Sequence, residues 1–173
     1  MKIIIITQNE PFYLSQNLKY LFGILPDDVK VAGCVVNSVS PFGKKESFFR
    51  KSIKTFKIFG PVFFIYYSIK FVLSKLFKPP LKKLLKHKGI PEIQLEGNIN
   101  AQTNLDIIRS YKPDLLVSIL GNQIFKKPLI DLAPQGCINL HTALLPKYRG
   151  LMPTFWVLKN NETHTGVSVF FVD

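Results

Sequence analysis

Apolar positions in this chain fall into two kinds of run. Ile3-Ile4-Ile5-Ile6, within Lys2–Thr7, is unbroken and β-branched, the pattern of a strand buried on both faces. Between Tyr13 and Leu25 the apolar residues Leu14, Leu18, Leu21, Phe22 and Leu25 recur at helical spacing, and Pro26 stops the helix. Val29–Val36 reads as a second strand. A strand, a helix and a strand at this spacing form a βαβ unit, so the two strands are expected to be parallel. Asn37–Gly43 carries turn residues (Asn, Ser, Ser, Pro, Gly). Alternation resumes at Pro91–Leu95, a short strand. Ala101–Ser110 follows as a helix, Leu115–Leu120 as a strand and Phe125–Leu132 as a helix. Cys137–Leu140 is a strand, Met152–Asn160 a helix and Thr165–Val172 a final strand.

The stretch 44–88 breaks this rhythm and reads as a basic helical insertion. Phe48–Phe59 mixes lysines with phenylalanines and isoleucines at amphipathic spacing. Pro61–Phe77 is far more apolar, and Pro79-Pro80 ends it. Leu81–Lys88 is a short basic helix closed by Gly89. Charge sharpens the picture. The insertion holds thirteen basic residues and one acid, Glu46, which accounts for the whole net charge of +12; the rest of the chain has ten of each sign.

The architecture expected is α/β: a Rossmann-like fold with a mostly parallel central sheet, one domain over residues 1–173, the insertion 44–88 lying within it. A chain of 173 residues is long enough for one real core. No Gly-x-Gly-x-x-Gly follows the first strand, so the dinucleotide fingerprint is missing. The N-terminal apolar run is only four residues long before Thr7, and no small-residue cleavage site follows it, which argues for a cytoplasmic chain. Cys34 and Cys137 sit in apolar runs and read as buried thiols of a reducing compartment. No Cys/His spacing suggests a metal.

Asn139 and His141 close the Cys137 strand. Ligands of open α/β sheets bind at the carboxyl ends of the strands, and residues two apart in a strand face the same way. An amide and an imidazole would thus share one cavity. That pair suits acyl-type transfer to an amine, whose tetrahedral oxyanion needs fixed donors and a group that handles a proton.

The longer string Gly136-Cys-Ile-Asn-Leu-His-Thr-Ala-Leu-Leu-Pro-Lys-Tyr-Arg-Gly150, with Pro153, Trp156, Asn160, Glu162 and Thr165-Gly-Val-Ser168, resembles the formyltransferase family. Its catalytic domains include those of glycinamide ribonucleotide formyltransferase, methionyl-tRNA formyltransferase and the sugar-nucleotide N-formyltransferases. The resemblance implies 10-formyltetrahydrofolate as formyl donor and a primary amine as small-molecule acceptor. It implies that Asn139 binds the formyl oxygen and that His141 stabilises the oxyanion and moves a proton. It places Ile119, Leu120 and Gly121, with Leu144, Leu145 and Pro146, on the cofactor side, and Tyr148, Arg149 and Gly150 in a substrate-side loop.

Two departures follow. Ala143 stands where the family usually has Ser. The family's catalytic aspartate falls four residues after Asp173, so the chain is expected to be a domain truncated at its C-terminal end. The acceptor expected first is an amino-sugar nucleotide. The alternatives are methionyl-tRNA, or a non-catalytic fragment. For the insertion three readings stand: a solvated hairpin that packs its Phe and Ile residues on the domain, an anionic membrane surface, and tRNA. The membrane reading would make the protein peripheral to the inner face, because Lys70 and Pro61 interrupt a run already short for a span. No motif fixes the oligomeric state.

Overall fold

The computed structural model describes residues 1–37, 47–77 and 80–173. The expected turn at Asn37–Gly43 and the stop at Pro79 fall largely outside them. Six strands form one sheet in the order β3-β2-β1-β4-β5-β6. These are β1 (Lys2–Gln8), β2 (Lys30–Asn37), β3 (Glu92–Ile93), β4 (Leu115–Ile119), β5 (Cys137–His141) and β6 (Ser168–Phe171). All pairs are parallel except β5–β6, which is antiparallel. The chain lays β2 and β3 to one side of β1, then crosses to β4 on the other. The switch point therefore lies between β1 and β4, where doubly wound sheets open a ligand crevice.

Both faces of the sheet are covered, which is why its central strands read as continuous apolar runs. On one face Ile4, Ile6, Leu116 and Cys137 pack with Leu105 and Ile108 of α4 (Gln102–Ser110) and Leu129 of α5 (Lys127–Ile130). On the other, Ile3, Ile5 and Cys34 pack with Leu14 and Leu18 of α1 (Leu14–Ile24) and with Leu81, Leu84 and Leu85 of α3 (Leu81–His87). Gly33 lets β2 meet β3, since a Cβ there would lie 2.6 Å from Ile93 Cδ1.

Three elements differ from expectation. β3 is only two residues long, paired through Cys34–Glu92 and Val35–Ile93 at the sheet edge. α5 is confined to four residues because Pro128 starts it and Lys126 is still extended (φ −98°, ψ 159°). The insertion forms α2 (Phe48–Phe77), broken at Gly60 (φ 77°, ψ 175°) ahead of Pro61. The two arms fold back on each other through Phe48–Phe71 and Phe56–Phe64, and Phe59 and Phe71 reach Phe155 and Phe12 of the domain, but many of the remaining apolar side chains face outward. Phe48, Phe49, Ile58, Ile65 and Ile69 are all exposed.

A polar knot, not visible as a motif, secures the connections beside the switch point. Buried Asn104 accepts from Glu96 N–H (3.3 Å) and donates to the Glu96 and Asn98 carbonyls (2.8 Å each). Gln123 Oε1 accepts from Ile99 N–H at 2.9 Å, and Asn100 joins Ile124 and Lys126. Asn104→Ala strands those buried groups and is expected to lower stability by about 1–3 kcal/mol in urea unfolding. The two thiols make a second check. Burial pushes the Cys34 thiol up to about 12, helped by Glu92, and the Cys137 thiol up to about 11. Neither is expected to react with a thiol reagent at pH 8 until the chain is unfolded.

Candidate functional site

Parallel pairing sets Asn139 beside Ser118 of β4, and antiparallel pairing sets it opposite Phe170 of β6. His141, two residues on, lies opposite Ser168. Both side chains therefore leave the sheet on one face at its carboxyl edge, both half-buried. His141 Nε2 donates to the Tyr148 carbonyl at 2.9 Å. A carbonyl can only accept, so Nε2 carries a proton and Nδ1 is the ring atom left for chemistry. Among the described residues the Asn139 amide makes no side-chain hydrogen bond. Its donors are uncommitted.

The loop after β5 is held from several sides. Ser168 Oγ donates to the Ala143 carbonyl (2.8 Å) and accepts from Leu145 N–H (3.0 Å). A hydroxyl from β6 thus braces the position beside Ala143, itself fully buried. Leu145-Pro146 is a cis peptide, and Tyr148 and Met152 adopt positive φ (55° and 54°). Non-glycine residues held in that region mark a backbone over-determined by its surroundings. Thr154, at the start of α6 (Pro153–Lys159), reaches Thr142 Oγ1 at 3.3 Å.

Leu144, Leu145, Pro146 and Tyr148 line a cleft of about 360 Å³ that Lys147, Glu162, His164 and Thr165 also border. Neither Asn139 nor His141 lines it. His141 adjoins it through the Tyr148 carbonyl, Tyr148 being one of the lining residues. Across β4, Ile119 pairs with Leu140. Leu120 takes φ 59°, and Gly121 lies so close over Ser118 that a Cβ would come within 2.6 Å of its Oγ. Arg149 is exposed and donates to the Pro146 carbonyl (3.2 Å), while Gly150 has φ 98°. Arg149 and Gly150 shape the loop rather than the cleft.

Two groups at this edge had no assigned role in the sequence. Glu162 accepts from Tyr148 Oη (2.5 Å) and Lys147 Nζ (3.3 Å). The Tyr148 bond, then Lys147, hold its carboxyl below the ordinary 4.5, and the same bond raises Tyr148. The pairing is present above the usual carboxylate range and is lost as pH falls through the lowered value. An NMR titration of Glu162 should give a midpoint below 4.5, and Tyr148→Phe should move it back up. Glu10 accepts from the N–H groups of Phe12, Tyr13 and Leu14 (2.7, 2.7 and 2.9 Å). Its carboxylate fills the start of α1, the place where doubly wound folds commonly seat a phosphate.

The fold is a doubly wound α/β domain with an amide and an imidazole paired at the carboxyl edge of its sheet. A family model described as "Formyl transferase" matches residues 72–173, and the chain belongs to that family. It is 41% identical over 100 residues to the methionyl-tRNA formyltransferase of Trichlorobacter lovleyi, a match that covers 58% of this chain and 31% of that one. The chain thus spans under a third of the curated relatives it matches. A phosphoribosylglycinamide formyltransferase from Anaplasma phagocytophilum shares the fold (TM-score 0.63, 13% identity, 99% of this chain and 64% of that one). So does a sugar N-formyltransferase from Shewanella sp. FDAARGOS_354 (TM-score 0.53, 19% identity, 100% and 51%).

Proposed function

We propose that this chain carries the transfer site of an N-formyltransferase that moves a formyl group from 10-formyltetrahydrofolate to a primary amine. The observation that carries the proposal is the placement of Asn139 and His141 on one face of β5, with the imidazole fixed by Tyr148. The residues fit such a donor. Leu144, Leu145 and Pro146 give an apolar wall to a cleft of a size that takes a small ligand. Leu120 and Gly121 bring backbone close at the end of β4. The donor would supply an activated formyl carbon. Asn139 donates its amide N–H to the formyl oxygen as charge grows there. His141 Nδ1 takes the proton the attacking amine must lose, because Nε2–H is already committed, and that proton goes to N10 of the donor as the formyl C–N10 bond breaks and tetrahydrofolate leaves.

For the acceptor, the sequence relatives favour methionyl-tRNA over the amino-sugar nucleotide expected from the loop wording. Glu10 adds a constraint: its carboxylate repels any acceptor phosphate at the start of α1. Formylation assays of the full-length protein with methionyl-tRNA and with UDP- and dTDP-amino sugars test the reading. Product on methionyl-tRNA is expected, and product on an amino sugar alone would reverse the acceptor. In the same assay Asn139→Ala should lower kcat by about 100- to 1000-fold. His141→Ala should abolish transfer with the fold intact, and wild-type rates from it would refute the mechanism.

A further inference from the structure

Among the described residues, one helix, within Phe48–His87, is long and apolar enough to cross a membrane by length and composition. Its contacts decide how it lies. Phe59 meets Phe155 of α6 edge-on at 6.0 Å. Tyr67 meets Phe12 at 5.1 Å, Lys70 Nζ donates to Tyr13 Oη at 2.5 Å, and Ser74 donates to the Pro11 carbonyl. Phe59 lies just before the Gly60 break, and beyond it the fastenings at residues 67, 70 and 74 hold one side of about 10 Å of helix. The helix is strapped lengthwise along the domain, which is the wrong attitude for a span.

The strap has two unlike faces. The fastened face carries Tyr67, Lys70, Phe71 and Ser74. Its lysines are turned to aromatic rings: Lys70 lies 4.8 Å from the Tyr13 ring centre and Lys75 lies 4.9 Å from that of Phe71. The outer face carries Val62, Ile65, Ile69, Val72, Leu73 and Leu76, at helical spacing in a stripe roughly 100° wide. These six are 48–83% exposed and no charge interrupts them. Residues 47–91 contain no acid, and Lys82, Lys83 and Lys86 of α3 are exposed on the adjoining basic segment.

We propose that this outer face docks the protein on an anionic lipid bilayer, the stripe entering the headgroup boundary and the flanking lysines pairing with lipid phosphates. Charge chooses the occupant. A second copy would bring an identical acid-free, basic segment against this one. RNA would meet an apolar stripe where phosphates need cations, with Lys70 already held on Tyr13. A bilayer with anionic headgroups satisfies both the apolar and the basic part. The strap spans from the β1–α1 loop to α6, both on the carboxyl edge that holds Asn139 and His141. Docking therefore brings the candidate site to the membrane surface, whichever amine it uses.

Co-sedimentation of the full chain with phosphatidylcholine vesicles, with and without phosphatidylglycerol, tests this. Binding only to the anionic vesicles, weakened by salt, is expected. Ile65→Asp with Val72→Asp should weaken it by more than about tenfold. Lys82→Glu with Lys83→Glu and Lys86→Glu, which leaves the stripe intact, should weaken it by on the order of 100-fold. All five side chains are exposed, so unchanged far-UV circular dichroism is expected for both variants. No binding to anionic vesicles would overturn the proposal. So would a dimer in vesicle-free solution that the stripe variant dissolves, or binding to tRNA with none to vesicles.

Discussion

The hydrogen bond from His141 Nε2 to the Tyr148 carbonyl joins the last residue of a buried strand to a loop that the sheet alone would not position. Much of the site's geometry depends on it. β5 is placed by parallel pairing to β4, so the imidazole begins from a rigid support. Tyr148 must turn through positive φ to present its carbonyl. Its ring then reaches Glu162, which Lys147 also holds. One bond thereby fixes the histidine tautomer and, through the same residue, one wall of the cleft. Removing the acceptor by sequence change is not possible, since it is backbone; only the loop's course can be altered. This explains why so many separate contacts, from Ser168 to Thr154, converge on residues 142–148.

The carboxyl edge is organised twice over. The core of the domain presents the amide and imidazole there, as doubly wound sheets generally present ligand sites. The insertion then crosses the same edge, fastened at Phe12, Tyr13 and Phe155. Glu10, which caps α1, lies in the loop that receives the strap. The chain thus fills its own helix start with a carboxylate and turns apolar residues outward nearby.

Most of the sheet could be read from the sequence because β-branched runs buried on both faces leave no ambiguity. Ile3–Ile6 is such a run, and Leu115–Ile119 is a mostly apolar one of the same kind. Helix ends set by proline were less clear: Pro128 cut α5 to four residues by holding Lys126 extended. The insertion's helicity was legible, but its exposure was not, since amphipathic spacing alone does not say which face meets the domain. At the site, residue spacing put Asn139 and His141 on one face. The backbone acceptor at Tyr148 left no trace in any side chain. Likewise the Asn104 and Gln123 contacts depend on partners brought together only by the fold.

The central claim is that His141 is held as the Nε2–H tautomer with Nδ1 free to take a proton. Long-range ¹⁵N–¹H correlation of the neutral His141 ring reads this directly. The account predicts a protonated Nε2 and an unprotonated Nδ1. A neutral ring protonated at Nδ1 would contradict it, because the Tyr148 carbonyl could not then be its partner.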